Sequence, residues 1–141
     1  MRVPCLMRWP GVLPAGESRD QLMGTIDILP TALGIAGGTP PQAPEVDGAN
    51  IIDILRDGDP NPERAIFFYR GRNLQAMRQG AWKLRVTQDG SALYNLADDI
   101  GESTNVISEA PDRAETMRSR MREFDEKLKS NARPSGRSQI P

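Results

Sequence analysis

Few side chains in this sequence could carry out a chemical step by themselves. The 141 residues include no histidine, so the chain lacks the commonest general base and the commonest ligand of transition metals. Its single cysteine, Cys5, cannot form a disulfide within the chain. Because the neighbours of Cys5 are apolar, we expect a buried structural thiol rather than a reactive one.

Acidic side chains occur in two short groups whose oxygens could bind a hard cation. Neither group has the spacing of an EF-hand calcium loop, and both fall where turn and cap residues are expected. We therefore predict that they shape loops and helix ends, and we predict no metal site. The first group is Asp53, Asp57 and Asp59, and the second is Asp98, Asp99 and Glu102.

Composition and charge are typical of an ordinary soluble protein. Hydrophobic residues make up 38% of the chain and charged residues 26%, and the formal net charge is -1. This balance gives no electrostatic reason to expect nucleic acid as a partner. The sequence has no apolar run long enough to cross a membrane, and its N-terminus lacks the apolar core of a signal peptide. We therefore expect no nucleic-acid or membrane partner and assign no compartment.

Proline and glycine divide the sequence into two regions, with a seam at residues 57–63. The predicted domains are residues 1–60 and residues 61–130. Residues 131–141 lack any periodicity, which indicates a disordered tail.

The first region predicts a buried strand at residues 3–9, which Pro10 and Gly11 end. Residues 26–36 have apolar side chains at helical spacing, and residues 51–56 predict a second, short helix. Between them, residues 39–44 are too rich in proline for a helix or a sheet and should be extended.

The second region predicts four short strands and one long helix. The strands, at residues 65–69, 74–78, 82–86 and 92–96, are aromatic and β-prone or alternate with period two. The helix covers residues 111–129. One face of this helix is apolar and the other is charged, and we expect the charged face to be solvated. Its apolar face carries Ala114, Met117, Met121, Phe124 and Leu128.

Several short runs of the chain, taken together, resemble the distal half of a type I sulfatase. Before the seam they are RVPCLMRWPG at residues 2–11, DILPT at 27–31 and DG at 47–48. After the seam they are FFYRG at 67–71, AMRQGAWKL at 76–84, LYNLADD at 93–99 and ESTN at 102–105. Each run alone has low specificity, and their shared order over residues 2–129 carries the resemblance. The FFYRG run is similar to the arylsulfatase and N-acetylgalactosamine-6-sulfatase branch.

The resemblance implies a fold in which a large α/β domain of alkaline-phosphatase type precedes a smaller C-terminal domain. Residues 1–60 would be the distal end of the large domain. Residues 61–130 would be the smaller domain, with an antiparallel sheet of about four strands packed by a long helix. The fold class expected for this part of the family fold is therefore α+β.

The resemblance also implies the hydrolysis of sulfate esters. In that reaction a formylglycine, made from a cysteine, attacks sulfate while Ca²⁺ neutralises the sulfate oxygens. Cys5 does not match the nucleophile motif of the family, because Arg8 stands one position too early. The second active-site lysine of the family precedes the RVP run, and the sequence begins at Met1 after that point. We therefore expect no catalytic or metal-binding residue in this chain, which would be inactive alone; Ca²⁺ and formylglycine are expected only in the full-length enzyme.

Residues of this chain could still contact substrate at the rim of the family's active-site cleft. The candidates are Tyr69 and Arg70, because a guanidinium there could pair with an anionic sugar or a sulfate group. An ordinary strand end accounts for both residues equally well. The partner of the full-length enzyme would be a sulfated carbohydrate or an aryl sulfate.

The position of Met1 suggests an internal methionine or a gene fragment, with a genuine short protein as the alternative. Two other roles stay open, a hydrolase completed by a second polypeptide and a small binding or assembly module without chemistry. We also expect the region before the seam to be poorly ordered or to aggregate in isolation, because a strand at residues 3–9 would lack its neighbours.

Overall fold

A computed structural model of the chain describes residues 3–39, 47–58, 61 and 63–131. The chain divides into two compact units, Met1–Arg64 and Ala65–Pro141. The predicted tail beyond residue 131, Asp59 and most of the extended proline-rich segment lie outside the described residues.

The first unit contains two short helices. A 3-10 turn, Thr25–Asp27, leads into α1 (Ile28–Ile35), and α2 (Ile52–Asp57) follows later in the chain. α1 is followed by Gly37 and α2 by Gly58, whose φ angles of 71° and 76° lie in the left-handed region that favours glycine. Both helices are confirmed close to their predicted bounds.

The N-terminal residues contradict two predictions. Residues 3–9 form no strand and are exposed, with Val3 at 71% and Leu6 at 99% of their full exposure. Cys5 is also exposed, so the prediction of a buried structural thiol is wrong. An apolar segment becomes a strand only when a neighbour pairs with its backbone N–H and C=O groups. None of the strands in the described part of the chain pairs with residues 3–9.

The second unit contains one antiparallel sheet whose strands lie side by side in sequence order. The turns after the first two strands contain Gly71 and Gly80, whose φ angles of 62° and 55° suit the tight turns of a meander. The predicted four-stranded sheet is confirmed. Its strands are β1 (Ala65–Arg70), β2 (Asn73–Gln79), β3 (Trp82–Thr87) and β4 (Gly90–Asn95).

A long helix, α3 (Pro111–Ser130), packs on one face of this sheet and confirms the α+β fold. Pro111 suits its first turn, where a missing backbone N–H costs little. Phe124 of α3 stacks on Phe67 of β1, with ring centroids 3.8 Å apart. Leu128 is 38% exposed, so the buried stripe of the helix ends before that residue. The buried core consists of Met77, Leu84, Leu93, Ala114, Met117 and Met121.

The outer face of α3 carries charges that pair with one another. Arg118 and Arg122 both donate hydrogen bonds to the Glu115 carboxylate, at 2.6 and 3.0 Å. Arg113 instead contacts the sheet, since its guanidinium lies over the ring of Trp82 on β3, 4.6 Å from the ring centroid. Among the described residues, no helix combines the length and apolar character that crossing a membrane requires.

We expect Leu84→Ala to lower the free energy of unfolding by about 3 kcal/mol, because it leaves a cavity between β3 and α3. Urea denaturation followed by circular dichroism measures this change. Leu128→Ala is the matched control, and its cost should stay below about 1 kcal/mol because that side chain is partly solvated. Equal costs for the two variants would contradict the packing of α3 described above.

Candidate functional site

The two predicted substrate-binding residues lie on opposite faces of the sheet. The Tyr69 hydroxyl donates a hydrogen bond of 3.0 Å to Asp125 on α3, and its ring centroid is 6.5 Å from that of Phe124. Because successive side chains of a strand alternate, Arg70 faces away from α3, where it is exposed. The structure therefore does not bring the two side chains together. Contact of either residue with substrate stays a prediction.

Asp125 holds Tyr69 in place as an ionised carboxylate. Lys129 donates a hydrogen bond of 2.6 Å to Asp125, and this contact, with a smaller contribution from Tyr69, lowers the pKa of the Asp125 carboxyl below its usual value. The strand end and the helix are thus joined through a polar contact beside the aromatic one.

The face of the sheet that does not contact α3, here called the second face, is rich in cations. Lys83 pairs with Glu102 at 2.5 Å and lies 5.7 Å from the centroid of the Phe68 ring. Arg78 donates a hydrogen bond of 3.0 Å to the carbonyl oxygen of Gly80. Arg85 is exposed on the same face, since its neighbour Leu84 is fully buried against α3.

Acidic residues of the second predicted group build the loop that follows β4. Asp99 accepts hydrogen bonds of 2.8 Å from the backbone N–H groups of Ser103 and Thr104. These bonds lower the pKa of the Asp99 carboxyl, that from Thr104 most strongly. Asp98 accepts a hydrogen bond of 2.6 Å from the Asn95 side chain. The loop has no regular secondary structure, and these side-chain hydrogen bonds hold its backbone instead.

Glu102 completes this loop in an unusual backbone conformation. Its φ angle of 57° is left-handed, which L side chains rarely adopt. The ion pair with Lys83 fixes the side chain of this residue against β3. Glu102 therefore connects the loop to the second face of the sheet.

The first predicted acidic group lies around α2. Asp53 and Asp57 both accept hydrogen bonds from Arg56, at 2.8 and 2.6 Å. Within the described residues, no group of three or more histidine, cysteine or acidic side chains could hold a metal ion. The acidic side chains of the described residues are therefore not arranged as a Ca²⁺ site.

Asp27 is a fully buried polar residue of the first unit, with 0% exposure, and sequence reasoning missed its role. Its carboxylate accepts hydrogen bonds from the backbone N–H groups of Gly24 at 2.8 Å and Ala49 at 2.9 Å. Thr31, one turn further on, donates to the Asp27 carbonyl oxygen at 2.6 Å and accepts from the Ile51 N–H at 3.1 Å. These contacts join α1 to the segment that leads into α2.

Arg64 completes this polar cluster by donating a hydrogen bond to the Asp27 carboxylate. The Arg64 side chain is 8% exposed, so the two charges form a buried ion pair. Asp27 begins the DILPT run at residues 27–31, which is visible in the sequence. Arg64 lies 37 residues away and belongs to no periodic pattern. Sequence reasoning had no signal for this partner.

Comparison with known proteins identifies relatives of the chain. Residues 1–131 match the family model described as N-sulphoglucosamine sulphohydrolase, C-terminal. The N-acetylgalactosamine-6-sulfatase of Homo sapiens is 41% identical over 83 residues, which cover 59% of this chain and 16% of that protein. A sulfatase of Formosa agariphila is 30% identical over 165 residues, covering 96% of this chain and 28% of that protein. The chain thus spans a minor part of the length of its curated relatives.

Solved structures share the fold. Ps i-CgsB in complex with k-i-k-neocarrahexaose superposes with a TM-score of 0.76 at 23% identity, over 94% of this chain and 30% of that one. BT4656 in complex with its substrate D-glucosamine-2-N,6-O-disulfate gives a TM-score of 0.65 at 19% identity, over 88% of this chain and 28% of that one. At these identities the similarity establishes the fold alone.

Asp27→Ala should lower the free energy of unfolding by about 3 kcal/mol or more, because it leaves the Arg64 charge buried without its partner. Asp53→Ala is the control, since it removes a carboxylate of the same type from the exposed ion pair with Arg56. Its cost should be below about 1 kcal/mol. Chemical denaturation of both variants measures the difference, and equal costs would refute the structural role of Asp27.

Asp99→Asn should flatten the acid dependence of stability. The pKa of the Asp99 carboxyl is lowered in the folded protein, so its stabilisation is present above its ordinary pKa of about 3.9 and is lost as the pH falls through the lower, folded value. The variant should therefore melt at a lower temperature than the wild type at neutral pH, with a smaller gap near pH 3. Melting temperatures measured across this range test the expectation, which parallel curves for the two proteins would contradict.

Proposed function

The chain belongs to the sulfatase family as a C-terminal part, and we propose that it supports the hydrolysis of sulfate esters within a larger catalytic fold. The observation that carries this proposal is the match of residues 1–131 to the C-terminal part of the family. The match to the Homo sapiens relative covers only 16% of that protein's length. This small share supports a role for the chain as one part of an enzyme.

In this proposal the chemistry comes from the remainder of the enzyme. A formylglycine and Ca²⁺, where they are present, would supply the nucleophile and neutralise the sulfate oxygens. Cys5 lacks the motif spacing of a formylglycine precursor, and the acidic residues Asp53, Asp57, Asp98 and Asp99 accept hydrogen bonds from side chains or backbone of this chain. The isolated chain is therefore proposed to be inactive, and its contribution is structural support and the shaping of the substrate cleft.

The proposed substrate class is a sulfated carbohydrate, with an aryl sulfate as the simpler alternative. Relatives named N-acetylgalactosamine-6-sulfatase and arylsulfatase support this range. The structural neighbours bound to neocarrahexaose and to a glucosamine disulfate are consistent with the carbohydrate. The cation-rich second face of the sheet suits anionic substrates of either type.

A second candidate function is completion of a sulfatase in trans, in which another polypeptide carries the nucleophile domain. This second candidate is favoured by the large exposed hydrophobic residues, which are concentrated in the first unit. Such residues, when they are numerous, mark surfaces that another chain or domain covers. We propose that the N-terminal part of a sulfatase covers them. They are Val3, Leu6, Met7, Trp9, Ile26, Ile28, Leu29 and Ile35.

The purified chain should not hydrolyse 4-nitrophenyl sulfate, with or without added Ca²⁺, because it lacks the nucleophile. Mixing it with the separately expressed N-terminal part of the Formosa agariphila relative should produce a complex and restore turnover. Absorbance at the nitrophenolate band and size-exclusion chromatography measure the two effects. Turnover by the chain alone would overturn the proposal of inactivity.

The matched variants for this experiment are Leu6→Asp and Ile100→Asp, which place the same charge at exposed apolar positions in the first and second units. Only Leu6→Asp should prevent complex formation, because only that residue belongs to the proposed apolar surface. Equal loss in both variants would indicate that the surface does not define the contact. Complex formation unaffected by Leu6→Asp would reject completion in trans through this surface.

A further inference from the structure

Three arginines at one end of the sheet are exposed and lack a partner. Arg70 ends β1, Arg72 lies in the turn that follows, and Arg85 lies on β3. None of them makes a hydrogen bond or ion pair with any residue that the structure describes. Most other arginines of the second unit pair with Glu115, lie over Trp82 or bond to backbone. These three, here called the arginine edge, therefore keep their full donor capacity.

The register of the sheet places two members of the arginine edge, Arg70 and Arg85, on one face. Phe68 pairs with Ala76, and Ala76 pairs with Arg85, so these three residues lie at one level of the sheet. Arg70 pairs with Asn73 and lies two residues beyond Phe68, nearer the turn. Arg70 and Arg85 therefore share the second face, two strands apart and two residues offset along the strand, which corresponds to about 12 Å. Both side chains can reach the same extended ligand.

A bulge in β2 lies directly beside this edge. The pairing shifts between Phe68 and Tyr69, so that β2 carries one extra residue opposite β1. Bulges increase the local twist of a strand and change the direction in which side chains point. The Tyr69 hydroxyl, bound to Asp125, fixes the end of β1 at the same place. Arg70 therefore extends from a strand end that is held on its opposite side.

Opposing negative charge is scarce around the arginine edge. The strand positions of the second face carry no acidic residue in the described sheet. Glu102 is the acid that reaches this face, and it is paired with Lys83. The acidic residues identified at this end of the sheet are Asp89, in the turn between β3 and β4, and Asp125 of α3, which is paired with Lys129 on the opposite face. Among the described residues, the three arginines therefore outnumber the acids at this end of the sheet.

We propose that the arginine edge binds a sulfate group of a sulfated carbohydrate other than the one that is hydrolysed, an inference that rests on the proposed function. Planar guanidinium groups bind tetrahedral oxyanions through paired N–H donors, which gives direction as well as charge. Phe68 is half-buried and lies at the same level of the sheet as Arg85. Its ring offers an aromatic surface beside the arginines that would bind sulfate. The edge would favour substrates that carry sulfate on more than one sugar.

Binding of a carrageenan-type sulfated hexasaccharide to the full chain, measured by calorimetry at low salt, tests this proposal. The variant Arg70→Gln/Arg85→Gln should weaken binding about tenfold or more, because each arginine supplies charged hydrogen bonds. The control variant, Arg118→Gln/Arg122→Gln, removes the same charge from the outer face of α3 and should stay within about twofold of the wild type. Circular dichroism checks that both variants are folded, and Arg70→Lys/Arg85→Lys should recover part of the affinity.

Three outcomes would overturn the proposal. The first is equal weakening by both double variants, which would mean that only net charge matters. The second is equal binding of the chemically desulfated hexasaccharide, and the third is absence of binding by the wild type at low salt. Because this experiment measures binding and not hydrolysis, the proposed function is tested separately by turnover in the completed enzyme.

Discussion

Packing of α3 against Met77, Leu84 and Leu93 fixes which side chains of the sheet reach solvent. Side chains of a strand alternate with period two, so burying one face of each strand assigns every other residue to the second face. Arg70, Lys83 and Arg85 are exposed or partly exposed for this reason. A slip of one residue in β2 or β3 would turn a cation towards α3 and expose a core residue. The position of the arginine edge is therefore a consequence of hydrophobic packing on the other side.

Outside the helices and strands, polar side chains hold the backbone in place through hydrogen bonds. Asp27 and Asp99 each accept hydrogen bonds from two backbone N–H groups of neighbouring segments. Gly48 shows how closely the first of these regions is packed, because a Cβ there would lie 1.9 Å from the Ile26 carbonyl oxygen. The DILPT, DG, LYNLADD and ESTN runs coincide with these contacts. Their residue types thus have physical reasons that are independent of catalysis.

Sequence patterns predicted the elements that depend on local periodicity and failed where a distant partner decides. The four strands and the three helices follow from period and turn residues. Residues 3–9 have the composition of a buried strand, but burial depends on neighbours that the described chain does not provide. The partnership of Asp27 with Arg64 spans 37 residues and leaves no local signal. The opposite orientations of Tyr69 and Arg70, in contrast, already follow from adjacent positions in one strand.

The surfaces of the two units suit two different kinds of binding. Exposed hydrophobic side chains such as Leu6 and Leu29 belong to the first unit, and their burial by a partner is favourable in many orientations. Exposed, unpartnered guanidinium groups such as Arg70 and Arg85 belong to the second unit, and their hydrogen bonds depend on direction. Association with the remainder of a catalytic fold requires large apolar area, whereas discrimination between sulfated sugars requires directed contacts. Under the proposed function, the first unit would therefore serve assembly, and the second would serve recognition of the substrate.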